Sequence, residues 1–144
     1  MATLNGSFSG TIKSQSVIVV PGQSGHDLSL TEITGTQKSA DPNWNNASLT
    51  YCGITDVFDG KGTQRGYFQN SRGDGDRDWG TFEARVVIVN GLLLAEGTYQ
   101  NTGGTGKFKG ITGGGIFNTR MTSLRNVEAT YEGTYQLTSA KAAG

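Results

Sequence analysis

The segment from Asn126 to Leu137, NVEATYEGTYQL, alternates between two kinds of side chain. Alternation with a period of two residues is typical of a β-strand that has one buried face and one face in water. The segment therefore predicts a strand with apolar and aromatic side chains on one face and polar side chains on the other. The apolar face carries Val127, Ala129, Tyr131, Tyr135 and Leu137.

A second segment, TFEARVVIV, shows the same alternation and ends at Asn90-Gly91. The Asn-Gly pair favours a type I′ turn, so it predicts a β-hairpin with the following segment LLLAEGTYQ. Phe82 and Tyr99 fall on the apolar faces of these two strands. Glu83, Arg85 and Glu96 fall on the polar faces, where cross-strand ion pairs are expected.

Most of the remaining chain consists of short apolar segments separated by Gly, Asp and Asn, and we predict further strands in it. With 23 glycines and two prolines in 144 residues, the composition argues against helix. We therefore predict one all-β domain spanning residues 1–144, either a sandwich or a barrel. Glycines within the strands favour the barrel, whose interior has room for a small ligand. The further strands are expected at about 4–12, 16–20, 27–36, 48–58, 64–70, 106–111 and 114–121.

Composition also excludes several classes of partner. Twelve basic residues balance twelve acidic ones, so no nucleic-acid partner is expected. The longest apolar run, near Leu92 to Ala95, is too short to span a membrane. The single cysteine, Cys52, has no intramolecular disulfide partner. A cytoplasmic location is the default expectation, although a secreted chain without its leader would have the same pattern.

The glycine-rich run TGGTGKFKGITGGG, residues 102–115, lacks the Lys-Ser/Thr ending of a phosphate-binding P-loop. We interpret it as a turn at Gly103-Gly104, a short strand with Phe108 turned inward, and another turn at Gly113. No motif for a nucleotide, flavin or metal is present, and no cofactor is expected. The pattern of Thr102, Gly103, Gly104, Gly106, Phe108, Gly110 and Gly113 resembles the glycine signature of the allene oxide cyclase and dirigent protein superfamily.

The resemblance extends to Glu32-Ile33-Thr34, followed by Ser39 to Pro42. It implies an eight-stranded antiparallel β-barrel with an internal small-molecule cavity and assembly into a homo-oligomer, a trimer or a dimer. It also implies that Glu32 lies in the cavity, with Thr34 where the cyclases have a water-holding asparagine. Tyr51, Tyr67 and Tyr99 then lie on strands that can reach the cavity.

Glu32 also draws attention without the resemblance. In DLSLTEIT it shares a strand face with Leu28 and Leu30, which places a carboxylate among apolar side chains. Burial there would raise its pKa and suit it to general acid or base catalysis, or to anchoring a polar group of a ligand. The alternative is a carboxylate near a strand end that faces water.

The segment DGDRDWG, residues 74–80, has the aspartate spacing that begins a calcium loop. Trp79 and Arg85 occupy the positions that need glycine and glutamate, so we interpret the segment as a hairpin turn and expect no metal. A turn exposed to water is one interpretation. The other places Trp79 at the mouth of the barrel with Asp78 meeting a ligand's polar end, and Trp44 in a similar position.

The function expected from these features is that of a cofactor-independent cyclase, isomerase or lyase acting on a small, largely apolar organic substrate. The alternative is a non-catalytic or dirigent-like barrel that binds such molecules. Glu32 and Asp78 are the expected catalytic groups. The expected substrate contacts are Leu30, Thr34, Trp44, Tyr51, Tyr67, Trp79, Phe82, Tyr99 and Tyr131.

Overall fold

Eight strands, each paired with its neighbours in the sequence, close into a barrel because the last strand also pairs with the first. The computed structural model describes residues 1–138, so the last six residues of the predicted domain lie outside the described part. All eight pairings are antiparallel, which confirms the predicted eight-stranded antiparallel barrel. The strands are β1 Ala2–Val19, β2 His26–Ser39, β3 Ser48–Phe58, β4 Lys61–Ser71, β5 Arg77–Val89, β6 Leu92–Gly104, β7 Thr112–Met121 and β8 Asn126–Gln136.

The hairpin predicted at Asn90-Gly91 is confirmed. Both turn residues have positive φ, 52° at Asn90 and 79° at Gly91, as a type I′ turn requires. The turn joins β5 to β6, and Glu83, Arg85 and Glu96 lie on the outer face of these strands as predicted. Arg85 Nη2 approaches Glu96 Oε1 at 3.4 Å across the strand pair.

Two strand predictions are wrong in detail. The strands expected at 4–12 and 16–20 form one continuous strand, β1, in which the pairing shifts between Ile12 and Ser14. The strand expected at 106–111 is a 3-10 turn at Gly106–Phe108. Gly106 and Gly110 both have positive φ, which an extended strand does not allow, and Phe108 N donates to Thr105 O.

The connections between antiparallel strands alternate between the two ends of the barrel. At one end lie the hairpin connections 20–25, 59–60, 90–91 and 122–125, and we call it the hairpin end. At the other lie the longer connections 40–47, 72–76 and 105–111, and we call it the plugged end. Trp44, Phe108 and Ile111 from two of these longer connections pack against Leu4 of β1 and Tyr135 of β8, and this apolar cluster closes the end of the barrel.

Two further apolar clusters occupy the interior. Phe8, Ile33 and Val127 form one of them, and Ala84, Val86 and Ala95 form the other. Small residues make room for the large rings: a side chain at Gly6 would collide with the ring of Tyr131. No helical segment within residues 1–138 is long and apolar enough to cross a membrane.

Candidate functional site

A cavity of about 100 Å³ lies inside the barrel, and all eight strands contribute to its wall. Aromatic and aliphatic side chains make up most of the wall, with a few polar groups among them. None of the described residues that line it is acidic, basic, histidine or cysteine. The lining consists of Leu4, Phe8, Gln37, Trp44, Leu49, Tyr51, Gln64, Phe68, Asn70, Phe82, Tyr99, Asn101, Phe117, Thr119, Ala129 and Tyr131.

The aromatic rings of the wall contact one another edge to face. Tyr51 packs in this way between Phe8 and Phe82, with ring centroids 5.9 and 5.6 Å away. Tyr99 packs between Phe68 at 6.0 Å and Tyr131 at 6.4 Å. Edge-to-face contacts at these distances are favourable and hold each ring in one orientation. The apolar part of the cavity is therefore formed before any ligand enters.

Three amide side chains of the wall are linked to one buried carboxylate. Asp78 is fully buried, and its Oδ2 accepts hydrogen bonds from Asn70 Nδ2 and Asn101 Nδ2, each at 3.1 Å. Gln37 Nε2 donates in turn to Asn70 Oδ1 at 2.7 Å. Gln37, Asn70 and Asn101 line the cavity, whereas Asp78 lies behind them.

Arg72 balances the charge of Asp78. Its Nη1 donates to Asp78 Oδ1, and its Nε donates to Asn43 O at 2.8 Å. The guanidinium carbon lies 3.9 Å from the ring centre of Phe108 and 5.0 Å from that of Trp44. Burial raises the pKa of the Asp78 carboxyl, and hydrogen bonds and charge from Arg72 and the asparagines oppose that rise. The pair anchors the plugged end of the barrel.

The tyrosines of the wall present neutral hydroxyl groups. Burial raises the pKa of Tyr51 and Tyr131 well above the ordinary value of 10.0 and raises that of Tyr99 to about 12. Tyr131 Oη is buried and has no hydrogen-bond partner among residues 1–138. Every phenol here is protonated near neutral pH. The cavity can therefore enclose an uncharged, mainly apolar molecule and offer it hydrogen bonds.

Five of the predicted contact residues line the cavity. Tyr51, Phe82, Tyr99 and Tyr131 point inward from their strands, and Trp44 contributes from the connection 40–47. The prediction that Trp44 lies at a rim agrees with its place at the plugged end, where its ring contacts that of Tyr135 at a tilt of 53° with ring centres 4.5 Å apart.

The expected placement of Glu32 is wrong. The inner face of β2 carries Ile33 and Gln37, both buried, so Glu32 lies on the outer face with Leu30 and Thr34. Leu30 is 58% exposed, and its apolar character misled the assignment of the faces. Neither Glu32 nor Leu30 nor Thr34 lines the cavity. Thr34 Oγ1 instead forms a hydrogen bond with Thr50 Oγ1 on the neighbouring strand.

Tyr67 and Trp79 also lie outside the cavity. Both belong to the outer faces of their strands, and Tyr67 is 67% exposed. Trp79 packs against the backbone of Gly103 on the outer wall, so it does not cap a mouth. Asp78, one position earlier, points inward, but its oxygens are held by Arg72, Asn70 and Asn101 and do not reach the cavity.

The segment DGDRDWG forms the turn between β4 and β5 and the start of β5. Asp74 Oδ1 accepts a hydrogen bond from Asp76 N at 2.8 Å, a contact that stabilises the turn. Within residues 1–138 no group of three or more His, Cys, Asp or Glu side chains is arranged to hold a metal ion. The sequence-based interpretation of this segment as a turn agrees with the structure.

Reasoning from the sequence missed the amide groups of the cavity. Gln37, Asn70 and Asn101 are polar, and all three lie near the ends of their strands, where polar side chains are typical of positions that face water. A signal was present in the spacing, because each lies an even number of residues from an inward apolar side chain. The pairs are Ile33 and Gln37, Phe68 and Asn70, and Tyr99 and Asn101.

The chain was compared with models of known protein families and with curated proteins, and neither comparison found a match.

Proposed function

We propose that the protein binds one small, uncharged and largely apolar organic molecule inside its barrel. The observation that supports this most strongly is the cavity of about 100 Å³, lined by ordered aromatic rings and by no charged side chain among the described residues. Burying a charged ligand in such a site would be strongly unfavourable, whereas burying an apolar one is favourable.

The size of the cavity limits the ligand. Sites for drug-sized molecules usually enclose roughly 300 to 1,000 Å³, several times the volume available here. Apolar cavities of about 150 Å³ are known to hold one benzene molecule. A single small ring, or an aliphatic chain of similar volume, therefore matches the cavity better than a long-chain substrate.

The proposal is tested by titrating the ¹⁵N-labelled protein with benzene and following the amide spectrum. We expect saturable shifts at strand residues around the cavity. The matched variant is Ala129→Leu, which extends a lining side chain into the cavity from an inward position of β8. It should fold and fail to bind. No saturable shift in the wild-type protein, or equal binding by the variant, would refute the proposal.

A second candidate function is the cofactor-independent cyclase or isomerase expected from the resemblance to the allene oxide cyclase and dirigent superfamily. The specific observation that favours it is the hydroxyl of Tyr131, which is buried beside the cavity without a hydrogen-bond partner among the described residues. A protonated phenol held in an apolar site can stabilise negative charge that develops on a substrate oxygen. Glu32, on the outer face, has no part in this candidate.

The two candidates differ in whether a bound molecule is changed. Candidate epoxides and cyclic ketones that bind are incubated with the protein, and products are followed by chiral chromatography. Conversion that Tyr131→Phe slows at least about tenfold, while ligand affinity is kept, supports the enzyme. If no molecule is converted, or if Tyr131→Phe converts it as fast as the wild-type protein does, Tyr131 is not a catalytic group and the binding function alone is supported.

We also propose that the protein forms a homo-oligomer in the cytoplasm, as the resemblance and the single cysteine led us to expect. Exposed apolar side chains on the outer face of neighbouring strands support self-association, among them Ile18, Leu28, Leu30, Ile54 and Tyr67. Light scattering on the wild-type protein and on Leu30→Ser tests the proposed homo-oligomer. A monomeric wild-type protein at about 100 μM would refute it.

A further inference from the structure

The buried carboxylate of Asp78 fixes which hydrogen-bonding atoms the cavity presents. An ionised carboxylate only accepts hydrogen bonds, so the Nδ2 groups of Asn70 and Asn101 must turn toward it. The carbonyl oxygen of each amide then points in a different direction from its nitrogen. Asp78 in this way determines the orientation of two amides that line the cavity.

The orientation of Asn70 in turn fixes that of a third amide, Gln37. Asn70 Oδ1, directed away from Asp78, accepts a hydrogen bond from Gln37 Nε2 at 2.7 Å. Both polar atoms of Asn70 are therefore occupied. Gln37 and Asn101 line the cavity, and each donates one amide N–H within the network. The carbonyl oxygen of each accepts no side-chain hydrogen bond among residues 1–138, so it can accept one from a ligand.

We propose that the ligand of the cavity carries a hydroxyl group, which donates its hydrogen bond to the carbonyl oxygens of Gln37 and Asn101 at the plugged end. This inference rests on the proposed binding function and narrows it to small apolar alcohols and phenols. The rest of the ligand lies among the aromatic rings of the wall.

A hydroxyl fits these oxygens better than the other common donor, an amine. Aliphatic amines are protonated at neutral pH, and an ammonium ion would have to enter a cavity without a charged lining residue. The carboxylate behind the amides does not compensate for that charge, because Arg72 already pairs with it. A neutral hydroxyl carries no such penalty and still supplies the donor.

The direct test compares cyclopentanol with cyclopentanone, which have the same number of heavy atoms but differ in whether the oxygen can donate. Benzene serves as the reference ligand without a polar group. We expect cyclopentanol to bind the wild-type protein roughly 3- to 10-fold more tightly than cyclopentanone, the effect of one net hydrogen bond. Side-chain amide signals of Gln37 and Asn101 should shift with the alcohol.

A variant pair locates the effect. Gln37→Met removes one carbonyl oxygen and should reduce the preference for cyclopentanol to less than about twofold. Gln69→Met, the same change at an exposed position on the outer face of β4, should keep the full preference. If Gln37→Met does not fold, the amide shifts of the wild-type protein decide the same point.

The outcomes separate this inference from the binding function. Saturable benzene binding together with equal or tighter binding of cyclopentanone refutes the hydroxyl inference and leaves the binding function standing. Failure of all three molecules to bind refutes both. Preference for cyclopentanol without any shift of the Gln37 and Asn101 amide signals would also refute the inference, because the hydroxyl would then lie elsewhere.

Discussion

The buried ion pair between Arg72 and Asp78 is predicted to be a main support of the plugged end. The change Asp78→Asn keeps the shape of the side chain and removes its charge. Arg72, whose side chain is 9% exposed, then loses its counter-ion while it stays packed against Phe108 and Trp44. Asn70 and Asn101 at the same time compete for the single oxygen that remains.

The magnitude follows from this burial. Removing one partner of a buried ion pair typically destabilises a protein by about 3 to 5 kcal/mol. We therefore expect Asp78→Asn to lower the free energy of unfolding by about 4 kcal/mol, a large part of the roughly 5 to 15 kcal/mol of a typical domain. Arg72→Met should also destabilise. The double variant should lose at least about 1.5 kcal/mol less than the sum of the two single losses.

Urea unfolding followed by tryptophan fluorescence measures these differences, since Trp44 lies beside Arg72. The matched control is Glu96→Gln, which breaks the exposed pair with Arg85 on the outer wall. It should change the free energy of unfolding by less than about 0.5 kcal/mol. A loss below about 1 kcal/mol for Asp78→Asn, or strictly additive single losses, would refute the reasoning.

Three further predictions concern the barrel wall. Glu32→Gln, on the outer face, should leave benzene affinity within about twofold of wild type by NMR titration, and a larger loss would contradict its placement. Gly6→Ala should lower the free energy of unfolding in urea by about 1 to 3 kcal/mol, because its methyl group would meet the ring of Tyr131 and Lys38 O. Gly73→Ala, with open space around it, should be nearly neutral, and equal effects of the two variants would contradict this packing. The pKa of Tyr99 is raised to about 12 in the folded protein, so its neutral hydroxyl should contribute fully to stability below pH 10 and lose that contribution as the pH rises from 10 to 12. An unchanged urea midpoint between about pH 9 and pH 11.5 would disprove this.

The sequence is most informative where one face of a strand is consistently apolar. In β8 the inward positions carry Val127, Ala129, Tyr131 and Tyr135, and the outward positions carry polar side chains, so both the strand and its faces could be predicted. The Asn90-Gly91 turn could be predicted because its backbone conformation excludes most other residues.

The strand β2 could not be oriented in this way because it carries apolar residues on both faces. Leu28 and Leu30 lie outside, whereas Ile33 lies inside against Phe8 and Val127. Which face of β2 points into the barrel depends on its register with β1. That register shifts at a bulge in β1 that could not be predicted from the sequence of β1. The assignment of Glu32 to the cavity followed from that ambiguity.

The amide network could not be predicted because its members are far apart in the sequence and polar. Gln37, Asn70 and Asn101 belong to three different strands. Pairing of β4 and β6 with β5 brings Asn70 and Asn101 to Asp78, and Gln37 joins the network through Asn70. A polar residue at an inward position is acceptable only when its partners are in place. Those partners are set by the tertiary structure and not by local patterns.

The most direct test of the binding function is a crystal structure of the protein soaked with bromobenzene, in which bromine is located by its anomalous scattering. We predict one bromine site inside the barrel, among the rings of Tyr51, Phe68 and Phe82, and no such site in crystals of Ala129→Leu. Bromine found only on the outer surface, or inside the barrel of both proteins alike, would contradict the account.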